Sequence, residues 1–136
     1  MCAVNDRADV PDRVLDEVRA ICAALPEATE QAAWVGMRWS IRNRSFVHVF
    51  TAHPGETGAY SRAAELTEPT VIMTFRAQPE EFDALAGAGE PFFRAAWGKD
   101  VVGLKVLPDV DWDEVRELLT ESYRVLAPAK LVKLLG

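Results

Sequence analysis

The side chains best suited to binding or catalysis cluster in one acid-free window of an acidic chain. Acidic residues outnumber basic ones 21 to 15 overall, yet no Asp or Glu occurs between positions 31 and 55. Guanidinium groups bind phosphate and carboxylate oxygens, and histidine can act as an acid, a base or a metal ligand. The window contains Arg38, Arg42, Arg44, His48 and His53. The window therefore contains either a binding or catalytic site, or an ordinary hairpin whose charged side chains lie on one face.

Cys22 could act as a nucleophile if His48 or His53 served as its base. However, Cys22 shares the apolar stripe of a predicted helix with Val18 and Leu25, and a free cysteine in that setting is usually a small buried hydrophobe. The alternation described below places His48 on a buried sheet face, and His53 has no evident partner in its polar loop. Phosphate loops, dinucleotide fingerprints, zinc helices and nucleophile elbows are missing from the sequence. We predict no catalytic residues and no cofactor.

Three aspartates, Asp109, Asp111 and Asp113, alternate in the segment DVDWDE, as they do at the start of a calcium loop. Such a loop needs glycine at its sixth position and a bidentate glutamate at its twelfth, where this chain has Glu114 and Thr120. Helix capping and an acidic first turn explain these residues without an ion. We therefore predict no metal site.

Length and charge limit the classes of function. A chain of 136 residues is close to the commonest domain size, which predicts a single domain over residues 10–136 after a loose arm over residues 1–9. The formal net charge of −6 repels phosphate backbones and anionic lipids, so nucleic-acid binding would need a local patch and would be weak and salt-dependent. With no apolar run near membrane-spanning length and no leader, we expect a cytoplasmic protein that does not bind membranes.

Hydrophobic periodicity predicts the order of the elements. Helical spacing over residues 11–25 and 112–126 predicts two amphipathic helices, which Asp9 or Asp12 and Asp111 could cap. Alternation predicts strands over residues 71–76 and 101–106, a short helix starts at Pro79, and further helical turns follow Pro128. The sequence of residues 52–70 predicts a long surface loop. This order predicts an α+β two-layer sandwich with helices on one face of a mainly antiparallel sheet.

The segments MRWSI and FVHVF alternate on either side of a short connection and predict a hairpin. Asn43 and Arg44 are its expected loop, since Asn tolerates the positive φ of tight turns. Trp39 then faces His48, and Ile41 faces Phe46. This register predicts a core face made of Met37, Trp39, Ile41, Phe46, His48 and Phe50.

The opposite face of the predicted sheet is basic and contains no acid. Four of its positions, Arg38, Arg42, Arg76 and Lys105, are cationic, and Arg44 adds a fifth charge at the turn. Its remaining members are Ser40, Val47, Val49, Ile72, Thr74, Val101 and Gly103. If helices cover only the core face, this one is an open cationic platform that could bind nucleic acid or another anion through the five basic residues.

A solvated surface or a protein interface would also fit the residues of this face, and a different set of residues could form a pocket. Long basic side chains are common on solvated sheet faces, where their stems cover neighbouring valines. Val47, Val49 and Ile72 could instead form a homodimer interface, in a protein-interaction or chaperone-like domain that pairs through its sheet face or an edge strand. A small-molecule or enzymatic pocket would need convergent polar groups, and the candidates are His53, Arg62, Arg94 and Trp97.

Four segments together resemble the MmcQ/YjbR family of bacterial domains. They are ALPEATE, IRNRSF, VVGLKV and DVDWDEVRELLTESYRVLAPAKL, and the resemblance covers about residues 14–134. It implies a sandwich similar to the CyaY-like and secretion-chaperone architectures and a double-wing mode of DNA binding, and it brings no catalytic residues. The chain departs from many relatives at FFRAAWGKDVVGL, where they carry an aromatic or histidine-rich stretch, and in its longer loop over residues 52–70.

Overall fold

The computed structural model describes residues 10–33, 36–52, 68–95 and 100–135. Its strands are β1 (Thr29–Ala32), β2 (Met37–Ile41), β3 (Arg44–Ala52), β4 (Thr70–Arg76), β5 (Phe92–Arg94) and β6 (Val101–Lys105). Its helices are α1 (Asp12–Ala23), α2 (Pro79–Ala86), α3 (Trp112–Leu126) and α4 (Ala129–Val132), followed by a 3-10 turn, Lys133–Leu135. The predicted arm, residues 1–9, and most of the predicted loop over residues 52–70 lie outside the described residues.

The strands form one antiparallel sheet in the order β1-β2-β3-β4-β6-β5. One face of this sheet packs against the helices through a continuous buried core. The core joins Val18 of α1, Phe82 of α2, Leu119 and Tyr123 of α3 and Leu131 of α4 to the sheet residues Trp39, Val47, Val49, Met73, Phe75, Val102 and Leu104. The predicted fold class, an α+β sandwich with helices on one face, is confirmed.

The two long helices lie close to their predicted positions. The Asp111 carboxylate accepts hydrogen bonds from the backbone amides of Asp113 (3.0 Å) and Glu114 (3.3 Å) and caps α3 as predicted. In contrast, α1 starts after Pro11 without a side-chain cap. No helix in the described ranges is long and apolar enough to cross a membrane.

The hairpin between β2 and β3 differs from its prediction by one residue. Its loop is Arg42-Asn43, and both residues have positive φ, 53° and 67°, as the central residues of a type I′ turn do. Ile41 therefore pairs with Arg44. A β-bulge follows, because Ser40 pairs with Ser45 whereas Trp39 pairs with Val47, which leaves Phe46 as the extra residue.

The corrected register exchanges the two faces of β3. A shift of one residue sends every side chain of a strand to the opposite face, so Val47 and Val49 lie in the helix-side core. His48 and Phe50, predicted to be core residues opposite Trp39, lie on the other face, where their ring centroids are 4.8 Å apart. Phe46 still contributes to the core, because at the bulge its side chain lies on the same face of the sheet as that of Val47.

The face turned away from the helices is not the open platform expected from the sequence. Its central residues are buried: Ser40, Phe50, Ile72, Thr74 and Phe93. Phe93 covers Gly103, its partner across β5 and β6. Val47, Val49 and Ile72 are also buried and therefore cannot serve as an exposed dimer interface.

Two strands were missed from the sequence. β1 has four exposed residues and so shows no apolar alternation, and β5 has only three residues. Both lie at the edges of the sheet, where burial imposes little pattern on the sequence.

Candidate anion-binding surface

The five predicted cations separate into two groups. Arg38 on β2, Arg76 on β4 and Lys105 on β6 lie on the sheet face turned away from the helices, as their pairing with His48, Val101 and Ile72 requires. Arg42 and Arg44 flank Asn43 at the tip of the hairpin. Arg38 and Lys105 belong to strands three spacings apart, about 14 Å. The five cations therefore do not form one cluster.

Each cation on the sheet face already has a hydrogen-bonding partner. Arg76 Nη1 lies 3.1 Å from Asp100 Oδ1, and Arg76 Nε donates to the Ser45 carbonyl at 3.3 Å. Arg38 Nε donates to Gln31 Oε1 at 3.1 Å. These contacts link Arg76 to β3 and to the residue before β6, and they link Arg38 to β1.

Lys105 is the most buried of the three sheet-face cations. Its side chain is 13% exposed, and its Nζ lies 2.6 Å from Glu90 Oε2. A partly buried ammonium beside a carboxylate is neutralised locally and contributes little field at a distance. Lys105 therefore adds little to a cationic surface.

The hairpin tip is the most accessible part of the predicted set. Arg42 and Arg44 are exposed. Arg42 Nε donates to Glu27 Oε1 at 2.8 Å, and the exposed side-chain fractions of this pair are 46% and 51%. Among the residues that the structure describes, Arg44 makes no ion pair or side-chain hydrogen bond. Arg44 thus carries an accessible positive charge at the tip of the hairpin.

Glu27 and Lys130 complete this end of the molecule, and neither was predicted from the sequence. The hydrogen bond from Arg42 holds the pKa of Glu27 below its usual value, and the charges of Arg42 and Lys130 lower it further. Glu27 precedes β1, and Lys130 lies on α4, about a hundred residues along the chain. No local sequence pattern indicates that residues so far apart in the chain influence one another. We call Glu27, Arg42, Arg44 and Lys130 the hairpin-tip cluster.

Of the candidate catalytic residues, Cys22 and His48 do not come together, and His53 lies outside the described residues. Cys22 is buried in the helix-side core, and burial raises the pKa of its thiol to about 12. The thiolate is the nucleophilic form, so Cys22 is inert at neutral pH. His48 is half-buried on the opposite face of the sheet. Within the described ranges, no group of three or more His, Cys, Asp or Glu side chains could hold a metal ion.

The candidate small-molecule site falls largely outside the described residues, which include Arg94 but not His53, Arg62 or Trp97. The Arg94 guanidinium lies 4.7 Å from the Phe82 ring centroid. Arg94 Nη2 is also 3.4 Å from Asp83 Oδ1. These contacts fix Arg94 against α2.

Comparisons with known proteins identify a family and a fold. A YjbR family model matches residues 23–125. No curated protein matches the sequence. A crystal structure of a protein from Pseudomonas syringae is similar, with a TM-score of 0.60 at 9% sequence identity, over 85% of this chain and 97% of that one. At this identity the likeness shows the fold.

Proposed function

The chain belongs to the YjbR family, and we propose that it is a non-enzymatic module that binds nucleic acid through phosphate contacts at its hairpin tip. The proposal retains Arg38, Arg42, Arg44, Arg76 and Lys105 as sources of positive charge. It assigns the direct contacts to Arg42 and Arg44, because both are exposed at the hairpin tip. Arg42 is paired there with Glu27, and the other three have partners on the sheet face.

The observation that carries the proposal is the accessibility of Arg44. It projects next to a type I′ turn, exposed and without a carboxylate partner in the described ranges. A two-residue turn fixes the ends of both strands, so the position of Arg44 is defined by the sheet. An exposed cation beside a hairpin turn can approach a phosphate backbone, and phosphate contacts supply most of the affinity of such binding.

The net charge of −6 determines the kind of binding to expect. Repulsion from the acidic surface opposes association, while a few local contacts favour it. Affinity should therefore be weak and fall steeply with salt, without preference for base sequence, because phosphate contacts carry no sequence information.

Replacing Arg44 tests the proposal. In fluorescence anisotropy with a labelled duplex at low salt, we expect Arg44→Gln to weaken binding roughly twofold to fivefold. Its plot of log affinity against log salt should be shallower by about 0.9, the contribution of one lost phosphate contact. Arg13→Gln is the matched control, since Arg13 is also exposed but lies at the start of α1.

Binding curves that stay flat for the parent protein and for Arg44→Gln at low salt would exclude this function. Equal effects of Arg44→Gln and Arg13→Gln would show that only net charge matters, and the assignment to the hairpin tip would be wrong.

Association with another protein through β1 is a second candidate function, supported by a separate observation. All four β1 residues are exposed, and β1 forms one edge of the sheet. Ala33 N donates to Gly36 O, so antiparallel alternation directs the backbone groups of Glu30 and Ala32 away from β2. An added strand could pair with them. Light scattering that shows a monomer at high concentration would exclude the homodimer form of this candidate.

A further inference from the structure

We infer that Glu27 is an internal competitor for the phosphate site: its carboxylate binds Arg42 where a ligand phosphate would bind when Arg42 and Arg44 contact it. This inference rests on the proposed function and adds a regulatory carboxylate to it.

Backbone conformation singles out this part of the molecule. Three non-glycine residues in the described ranges have positive φ: Glu27 (63°), Arg42 (53°) and Asn43 (67°). This conformation is unfavourable for residues with a Cβ, and Arg and Glu rarely adopt it. All three lie in two loops joined by the 2.8 Å contact between Arg42 and Glu27. The type I′ turn accounts for the positive φ of Arg42 and Asn43, whereas the positive φ of Glu27 is local strain of the kind that is found at functional sites.

The loop that carries Glu27 is anchored from the core. The hydroxyl of Tyr123, a fully buried residue of α3, donates to the Pro26 carbonyl at 2.6 Å. Ala28 N also donates to the Leu25 carbonyl at 3.2 Å, and Leu25 is buried. These contacts fix the backbone on both sides of Glu27, so its carboxylate is presented to Arg42 by a rigid frame.

The hairpin-tip cluster carries more positive than negative charge, because it contains three basic residues and one carboxylate. Arg42 and Lys130 both lower the pKa of Glu27, so one carboxylate lies in the field of two cations, with Arg44 beside the turn. Glu27 and Arg42 are each about half exposed, and an ion pair in that setting is weak because water screens it. A backbone phosphate can therefore replace the carboxylate on Arg42, and Glu27 lowers the affinity by remaining nearby.

Removal of the Glu27 charge tests the inference. The probe is the same labelled duplex at low salt. We expect Glu27→Gln, which keeps a hydrogen-bond acceptor for Arg42, to tighten binding roughly twofold to fivefold. Glu80→Gln is the matched control, because Glu80 is exposed on α2, which packs against β5 and β6 at the other end of the sheet. It should change affinity much less.

A double-mutant cycle separates the local effect from net charge. Arg42→Gly removes the cation and keeps the turn, since glycine adopts positive φ without strain. If Glu27 competes for Arg42, then Glu27→Gln should tighten binding far less in the Arg42→Gly background. An equal gain in both backgrounds would contradict the inference.

The outcomes also distinguish the inference from the proposed function. A parent protein that binds the duplex as tightly as Glu27→Gln does would contradict the competitor role and leave the proposed function intact. Absence of binding by the parent and by Glu27→Gln would overturn both. If Glu27→Gln unfolds, Glu27→Gly provides the same test, because it removes the carboxylate and suits the positive φ.

Discussion

Ser122 is the residue that joins the bulged strand to the helix layer. It is fully buried on α3, its hydroxyl donates to the carbonyl of Phe46, the bulge residue, and it accepts from Arg76 N at 2.8 Å. A bulge interrupts the ladder and leaves backbone groups without strand partners. Ser122 satisfies two of them in a setting where unpaired polar groups are costly.

Ser122→Ala should therefore destabilise the protein by about 2–4 kcal/mol, since one buried carbonyl and one partly buried amide lose their partner. Urea unfolding followed by circular dichroism measures this. Thr120→Ala is the control on the same helix, because Thr120 is half-buried and donates only to the Arg116 carbonyl one turn earlier. Similar losses for the two variants would show that the bulge does not depend on Ser122.

At the scale of elements, Phe93 and Gly103 form a cross-strand pair that closes one edge of the sheet. A Cβ added at Gly103 would lie 2.2 Å from Cζ of the Phe93 ring. The ring therefore occupies the space of a missing side chain and covers the backbone of β6. Burial of the Phe93 side chain therefore stabilises the pairing of the three-residue strand β5 with β6.

Gly103→Ala should displace this ring and cost about 1–3 kcal/mol, the usual range for overpacking. Thermal unfolding of the single variants and of Phe93→Ala/Gly103→Ala tests the coupling. We expect Gly103→Ala to cost much less once Phe93 is alanine, because the clash is then absent. Additive losses would mean that Gly103 is required for a different reason.

At the scale of the whole molecule, the open edge at β1 determines whether the sheet extends between molecules. Glu30 is the charged residue of this short strand, and Arg19 Nη2 lies 2.9 Å from Glu30 Oε2. Charged side chains and short length are the usual protections of an exposed edge. Glu30 therefore limits pairing between two copies of the sheet.

Glu30→Val should increase self-association, because it removes the charge and adds a side chain that favours strands. Size-exclusion chromatography with light scattering over a range of concentrations measures the mass. Glu17→Val, at an exposed position on α1, controls for added surface hydrophobicity. Equal association of the two variants would show that the β1 edge is not involved.

The sequence by itself determined the fold class and the long elements, because these depend on local periodicity and caps. The stripe of α3, its Asp111 cap and the alternation of β4 and β6 are each contained in one short segment. Tertiary structure decided the register of β3, where the carbonyl of the bulge residue Phe46 accepts a hydrogen bond from Ser122, 76 residues along the chain. It also decided which cations are accessible. The partners Glu27, Glu90 and Asp100 are brought to Arg42, Lys105 and Arg76 by folding, because ion pairs form between side chains that are close in space, whatever their separation in sequence.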